Sequence, residues 1–300
     1  MKARSGRSPK TRSCSGSSSV AATLAVTYLN GSFLPIAEAS VSPLDRGFLF
    51  GDAIYEVIPV FSGRPFLLDA HLQRLTRSLN ELQIANPYST EEWNSVIKGL
   101  IEKNDGDDLA IYIQVTRGAD SGRDHRFPDQ VSPTVFGMAS ILTPPDFSSG
   151  VSAVTRPDNR WNRCDIKATA LLANVLSHQQ AREAGAADAI LIWDDEVTEG
   201  ASSSVIIIDA GELIRRPNGR EVLPGTTTDH VVALARRAGL GCRQAPISVA
   251  HLRNADEIWL TSATKGVAPV VRLDDQPIGT GMPGPVWQQV IKLYEASKRD

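Results

Sequence analysis

The chain has 300 residues, of which 42% are hydrophobic and 22% charged, with 31 basic and 34 acidic residues and a formal net charge of −3. This composition is typical of a globular protein with one large domain or two moderate ones, and it lacks the basic excess that binds nucleic acid. Cys14, Cys164 and Cys242 lie far apart without zinc-site spacing, and no apolar run is long enough to cross a bilayer. We therefore expect a cytoplasmic protein that binds no metal, nucleic acid or membrane.

Residues 1–25 form a basic, serine-rich leader. Five of them are Lys or Arg and none is acidic, and large apolar side chains are almost absent. Such a segment cannot form a core, so we predict that it is disordered. The composition is also typical of an organelle transit segment, and a start codon upstream of the native one would explain it equally well.

Residues 26–143 are predicted to form a small N-terminal domain. The turn pair Asn30-Gly31 joins two apolar runs, as in a hairpin, and a polar loop is expected over residues 38–51. In chain order, the patterns predict strands over 26–29, 33–36 and 53–61, helices over 68–82 and 90–102, and strands over 109–116 and 133–142.

Residues 144–150, which are rich in proline and serine, predict a linker between this domain and a second one over residues 151–300. Strands 188–193 and 203–208 are expected to pair with each other through a connecting segment over 194–200. The other predicted elements are strands over 151–156, 258–260 and 267–273, and helices over 168–184, 227–238 and 286–296. Because strands and helices do not alternate regularly, the fold class is α+β, or irregular α/β.

Lys167 is the residue on which the functional interpretation depends. It directly precedes the apolar run 168–176, so an amine stands where the chain turns hydrophobic. An amine that is removed from water loses its proton more readily and becomes a nucleophile towards aldehydes, which is the chemistry of Schiff bases. The alternative is a lysine at a helix start whose stem packs while its ammonium reaches solvent.

Four other candidates also have two interpretations each. Glu199 lies between two apolar strands, where it either meets a cationic or N–H partner or is a turn glutamate. The segment 225–227 precedes a helix and could seat an anion or serve as an ordinary cap. Arg74, on the polar side of the leucine-striped helix, is by default solvated. Arg123 and His125 belong to a basic loop that could clamp a carboxylate or stay in solvent.

Six short patterns occur in one order along the chain. They are Asp45-Arg46-Gly47 running into Tyr55-Glu56-Val57, His71-Leu72-Gln73-Arg74, Asp165-Ile166-Lys167, Val197-Thr198-Glu199-Gly200, Leu223-Pro224-Gly225-Thr226-Thr227 and Thr261-Ser262-Ala263-Thr264. In this order they resemble the class IV aminotransferases, which are pyridoxal-phosphate enzymes of fold type IV, over about residues 26–300. The resemblance implies two domains, a small N-terminal α/β domain and a larger C-terminal domain with a mixed, barrel-like sheet that binds the cofactor.

The resemblance also implies roles for individual residues. It makes Lys167 the Schiff-base lysine and Glu199 the partner of the pyridine nitrogen. The residues implied to hold the phosphate and the ring are Arg74, Thr226 and Thr227, with Ser262 and Ala263 in a second phosphate loop and Leu223 packing on the ring. A carboxylate beside the ring nitrogen favours its protonated form, on which the electron-sink chemistry of the cofactor depends.

The loop with Arg123 and His125 is similar to the carboxylate trap of D-amino-acid aminotransferases, to which a tyrosine equivalent to Tyr55 contributes. Tyr55 and Val57 are two residues apart on a predicted strand, so they face the same side. This resemblance implies that D-alanine and 2-oxoglutarate react to pyruvate and D-glutamate in two half-reactions with ping-pong kinetics. It also implies a homodimer whose substrate pocket spans the subunit interface.

Other functions stay open at this point. The same scaffold serves branched-chain and (R)-amine transaminases and aminodeoxychorismate lyase, and a non-catalytic regulatory or interaction protein could retain it without a reaction. Three places depart from the family pattern. Ala263 stands where many relatives have threonine, Thr228 stands where arginine is frequent, and Ala201-Ser202-Ser203-Ser204 follows Gly200 where Ser-Ser-Asn is common. These departures leave room for altered cofactor affinity or substrate choice.

Overall fold

The computed structural model describes residues 20–299, with side chains from residue 23 onward. The strands are β1 (Val20–Leu29), β2 (Ser32–Pro35), β3 (Ala53–Phe61), β4 (Arg64–Pro65), β5 (Leu109–Thr116), β6 (Thr134–Leu142), β7 (Val151–Pro157), β8 (Asp188–Trp193), β9 (Glu196–Gly200), β10 (Ser204–Asp209), β11 (Glu212–Arg215), β12 (Cys242–Gln244), β13 (Glu257–Ser262), β14 (Gly266–Leu273) and β15 (Gln276–Pro277). The helices are α1 (Arg46–Phe50), α2 (Leu68–Glu81), α3 (Thr90–Glu102), α4 (Leu172–Glu183), α5 (Thr226–Arg237), α6 (Val249–Asn254) and α7 (Pro285–Ser297).

The first sheet is antiparallel throughout and contains six strands in the order β2-β1-β6-β5-β3-β4. Helices α2 and α3 cover it, because each presents an apolar stripe at a spacing of three and four residues. Leu75 and Leu79 of α2 and Trp93 of α3 are buried in the shared core. A capping box between Ser89 and Glu92 fixes the start of α3.

The second sheet is mixed and runs in the order β12-β11-β10-β13-β14-β7-β8-β9, with β15 added to β14. The pairs β11/β12, β14/β7 and β7/β8 are parallel, and the other pairs are antiparallel. The structure and its relatives, described below, confirm the α+β class with two sheets. The division into domains at residues 144–150 stays a prediction.

The pairing predicted for residues 188–193 and 203–208 is wrong. Strand β8 pairs instead with β9, which lies inside the expected connecting segment, and β10 pairs with β11 and β13. Asp194 and Asp195 have φ angles of 51° and 60°, as the tight turn of a two-residue hairpin requires. This turn brings Glu199 into a strand rather than a loop.

Several elements also differ from the prediction in their bounds or in their type. Strand β1 begins at Val20, so residues 20–25 belong to it and not to the leader, whose other residues, 1–19, lie outside the described part of the chain. The polar loop contains the short helix α1, capped by the Asp45 carboxylate, and α4 begins only at Leu172. None of the helices between residues 20 and 299 has the length and apolarity that a bilayer crossing requires.

Candidate active site

A cavity of about 310 Å³ lies between strand β3 of the first sheet and the second half of the chain. Ten of the twelve predicted site residues line it, and they come from separate elements: Tyr55, Val57, Arg74, Lys167, Glu199, Leu223, Thr226, Thr227, Ser262 and Ala263. Tyr55 and Val57 face the same side of β3, as their spacing predicts. The cavity thus collects residues that are up to 208 positions apart in the sequence.

Lys167 faces the cavity because its neighbours are anchored in the first core. Ile166 and Ala168 are buried there, and an antiparallel bridge joins Ile54 to Ala168. The Tyr55 N–H donates to the carbonyl of Lys167 at 2.9 Å. The Ala168 N–H donates to the carbonyl of Ile166 at 2.8 Å, so the chain turns at Lys167, whose side chain lines the cavity. Its Nζ lies 4.2 Å from the centroid of the Tyr55 ring.

Glu199 is a buried carboxylate with two hydrogen-bond donors. An Arg160 guanidinium N–H donates to Oε1, and the backbone N–H of Leu223 donates to Oε2 at 3.0 Å. Burial raises the pKa of Glu199 to about 6, although the nearby charges of Arg160 and Lys167 oppose this rise. The carboxylate therefore predominates at neutral pH, and it retains lone pairs for a further donor.

Arg160 is a site residue that the sequence reasoning missed. Its Nε and Nη2 donate to the two oxygens of Asp158 at 2.9 and 2.6 Å, and Thr198 Oγ1 donates to the same carboxylate at 2.6 Å. Burial alone would raise the pKa of Asp158, but these hydrogen bonds hold it below its ordinary value. Asp158 thus holds the Arg160 guanidinium in the orientation in which it donates to Glu199. In the sequence, only the run of polar residues before Lys167 pointed to the pair of Arg160 and Glu199.

The start of helix α5, at another wall of the cavity, presents groups that can bind an anion, and we call it the anion seat. Thr226, Thr227 and Thr228 are buried at the first turn, where backbone N–H groups lack helical partners and the helix dipole is positive. A Cβ atom on Gly225 would lie 2.6 Å from Thr228 Oγ1 and 2.8 Å from Ser204 Oγ. Only glycine therefore allows this close approach.

Arg74 is buried, so the default interpretation of a solvated arginine is wrong. It is 8% exposed, and its Nε and Nη2 donate to the two oxygens of Glu56 at 2.7 and 2.8 Å. Its Nη1 donates to the carbonyl of Pro224 at 2.8 Å, next to the anion seat. His71 Nδ1 lies 2.8 Å from Glu56 Oε2. Glu56 was not predicted as a site residue, although a glutamate within the apolar strand β3 needed a cationic partner.

Arg123 and His125 do not line the cavity of their own chain. Both pack against the Phe50 ring, at 5.1 Å for the Arg123 guanidinium and 5.3 Å for the His125 ring. Arg46 ties down their loop by donating to its carbonyls, including that of Asp124 at 2.6 Å. Their role as a carboxylate trap stays a prediction.

Comparison with known proteins identifies the family. The family described as amino-transferase class IV matches residues 53–273, and the chain belongs to it. Among its relatives, the D-alanine aminotransferase of Bacillus licheniformis is 40% identical over 270 residues, which are 89% of this chain and 95% of that protein.

Solved structures agree with the fold. A branched-chain amino acid aminotransferase from T.th., in complex with N-(5'-phosphopyridoxyl)-L-glutamate, is 25% identical, with a TM-score of 0.84 over 92% of this chain and 95% of that one. A hypothetical aminotransferase from Mycobacterium tuberculosis in its PLP-bound form is 26% identical, with a TM-score of 0.80 over 91% and 98%. The fold-type IV architecture is confirmed.

The residues around the cavity fit pyridoxal phosphate. Lys167 offers an amine for the aldehyde, Glu199 a buried carboxylate for the ring nitrogen, and Leu223 an apolar side chain for the ring. The start of α5 offers N–H groups and hydroxyls for the phosphate. The aldehyde, the ring nitrogen, the ring and the phosphate of the cofactor therefore each have a matching group on the cavity wall.

Proposed function

We propose that this enzyme uses pyridoxal phosphate to transfer the amino group of D-amino acids to 2-oxo acids, with D-alanine and 2-oxoglutarate as its substrates. The observation that carries this proposal is the arrangement of Lys167, Glu199 and the start of helix α5 around one cavity. The identity to a D-alanine aminotransferase over most of both chains supports the choice of D-amino acids.

In this proposal the cavity residues have separate tasks. When bound, pyridoxal phosphate withdraws electrons from the carbon that carries the substrate amine. Lys167 Nζ would hold the cofactor through its aldehyde, and as a free amine it would be the base that moves a proton to and from the substrate Cα. Glu199 would hold the proton on the ring nitrogen, and Arg160 orients Glu199 and favours its charged form. The hydroxyls of Thr226 and Thr227 and the helix start would hold the phosphate.

A panel of amino donors tests the proposal. Single-turnover measurements with D-alanine, D-glutamate, L-leucine, (R)-1-phenylethylamine and aminodeoxychorismate would follow the cofactor absorbance in the purified enzyme. We expect turnover of D-alanine and D-glutamate, and parallel lines in double-reciprocal plots with 2-oxoglutarate, as ping-pong kinetics require. Preference for one of the other three donors would replace the proposed reaction. A colourless protein that takes up no cofactor would favour a non-catalytic regulatory or interaction protein.

The proposed assembly is a homodimer in which each chain contributes to the pocket of the other. Arg123 and His125 lie away from their own cavity, so a second copy is needed to bring them to a substrate carboxylate. Leu172, Val175 and Leu176 expose an apolar face of helix α4 beside the cavity, and Val175 itself lines the cavity. A face of this kind is typical of an interface between subunits.

The proposed location is the cytoplasm, without nucleic-acid or membrane partners. Cys164 and Cys242 are both free thiols in the described part of the chain, as is usual in a reducing compartment. The net charge of −3 gives no electrostatic attraction to nucleic acid. Imaging of fluorescent fusions with and without residues 1–19 tests this location, and an organelle signal that requires residues 1–19 would contradict it.

A further inference from the structure

Lys265 is a cation at the edge of the cavity that the proposed mechanism does not use. It follows the Ser262-Ala263 loop and is partly exposed. Its Nζ donates to Ser202 Oγ at 3.3 Å, and Ser202 lines the cavity. The Ser202 hydroxyl, which lines the cavity, is therefore in direct contact with the Lys265 ammonium.

The ammonium of Lys265 has no carboxylate partner among the side chains of residues 23–299. Its one side-chain hydrogen bond there is to Ser202, which in turn donates to Asp188 Oδ2 at 3.0 Å. That oxygen also accepts from Ser203 at 2.8 Å, and Asp188 Oδ1 accepts from a backbone N–H. Asp188 therefore orients the Ser202 hydroxyl towards Lys265, and the remaining N–H groups of Lys265 are available to an incoming anion.

Lys265 lies closer to solvent than the anion seat at the start of helix α5. The hydroxyls at the start of α5 belong to the buried residues Thr226, Thr227 and Thr228, whereas Ser202 is exposed and Lys265 is partly exposed. The anion seat is the expected site of the cofactor phosphate, because it offers the backbone N–H groups of the helix start as well as the hydroxyls. An anion at Lys265 would therefore lie nearer to solvent than an anion at the start of α5.

We propose that Lys265, positioned by Ser202, is a subsite for the second carboxylate of dicarboxylate substrates such as D-glutamate and 2-oxoglutarate. This inference rests on the proposed transamination and names the residue that selects one of its substrates. Lys265 is a specificity-determining residue that takes no part in proton transfer. Substrates with a single carboxylate, such as D-alanine and pyruvate, leave it unused.

Substitution of Lys265 tests the proposal in the holoenzyme. Lys265→Met keeps the side-chain length but removes the charge, so kcat/KM for D-glutamate and 2-oxoglutarate should fall about tenfold, mainly through KM, the size of one charge-assisted hydrogen bond. The value for D-alanine should change by less than about twofold, since its methyl group makes no such bond. Lys265→Arg should restore D-glutamate turnover. Lys292→Met, at an exposed position on α7, is the control for net charge and should change neither value.

Ligand binding gives a readout that does not depend on turnover. By titration calorimetry, the native holoenzyme should bind glutarate more tightly than butyrate, and Lys265→Met should lose this preference. Equal losses for D-glutamate and D-alanine together with weaker cofactor binding would overturn the proposal and assign Lys265 to the phosphate. An unchanged glutarate preference would also overturn it. Absence of D-alanine turnover in the native enzyme would refute the transamination itself, whereas the glutarate and butyrate titrations would still decide the role of Lys265.

Discussion

Two opposing effects act on the carboxylate of Glu199, and together they determine how the site responds to pH. Burial raises its pKa to about 6, and the cation of Arg160 limits that rise. Because the folded-state pKa lies above the ordinary glutamate value, the contribution of this group to stability is present at low pH and is lost as the pH rises through about 6. Activity depends on pH in the opposite direction, because only the carboxylate form of Glu199 can hold a proton on the ring nitrogen. Activity should therefore decline as the pH falls through about 6.

Glu199→Gln keeps the shape of the side chain and removes its charge. We expect kcat to fall by about ten- to a hundredfold, because a charge-assisted hydrogen bond to the ring nitrogen becomes a neutral one. The measurement is the single-turnover rate with D-alanine at pH 8. Glu196→Gln on the same strand is the matched control, since Glu196 pairs with Arg216 near the surface. A single-turnover rate of Glu199→Gln equal to that of the native enzyme would refute the assigned role.

Arg160→Met should move the acid limb of the pH–rate profile to higher pH. Without the cation of Arg160 the effect of burial is less opposed, so the pKa of Glu199 rises further. Glu199 is then protonated at a higher pH than in the native enzyme. The control is Arg243→Met, which removes an arginine from an exposed pair with Glu212. A uniform loss of activity at every pH, with an unmoved acid limb, would show that Arg160 does not act through Glu199.

At the scale of elements, the close approach at Gly225 makes the start of helix α5 sensitive to a single methyl group. Gly225→Ala would place a Cβ atom 2.6 Å from Thr228 Oγ1, so the first turn of the helix has to shift. We expect the dissociation constant of pyridoxal phosphate to rise about tenfold or more, since overpacking at a buried site costs about 1–3 kcal/mol. Fluorescence titration of the cofactor-free protein measures it. Gly122→Ala, where nothing lies within 4 Å of the added atom, should bind the cofactor normally.

Elements were predicted best where the pattern depends on neighbours along the chain. The strand over 53–61 and the helix over 90–102 were predicted with the observed bounds, because residues that share a face recur at a fixed spacing. Strand β9 was missed, since its hairpin turn consists of Asp194 and Asp195 rather than a sequence with glycine. The short helix α1 was missed as well, because its five residues are too few to show a period.

At the scale of the whole molecule, complementation between two inactive variants tests the shared pocket. Lys167→Ala and Arg123→Ala homodimers should each lose most activity towards D-alanine. In a purified heterodimer, one pocket combines the native Lys167 of one chain with the native Arg123 of the other, so about half of the native activity should return. Co-expression with two affinity tags provides the heterodimer. A heterodimer without activity, or the absence of a dimer, would contradict a pocket that spans the interface.

The sequence by itself predicted Lys167 and Glu199, the two residues on which the proposed chemistry depends. Lys167 and Glu199 were singled out because an amine and a carboxylate beside apolar runs need partners, and the order of six short patterns identified the family. What they contact was decided by the tertiary structure. Arg160 meets Glu199 39 residues away, and Arg74 meets Glu56 18 residues away. The reason is physical: hydrophobic periodicity depends on near neighbours in the chain, whereas the partner of a buried charge depends on which strands and helices pack together.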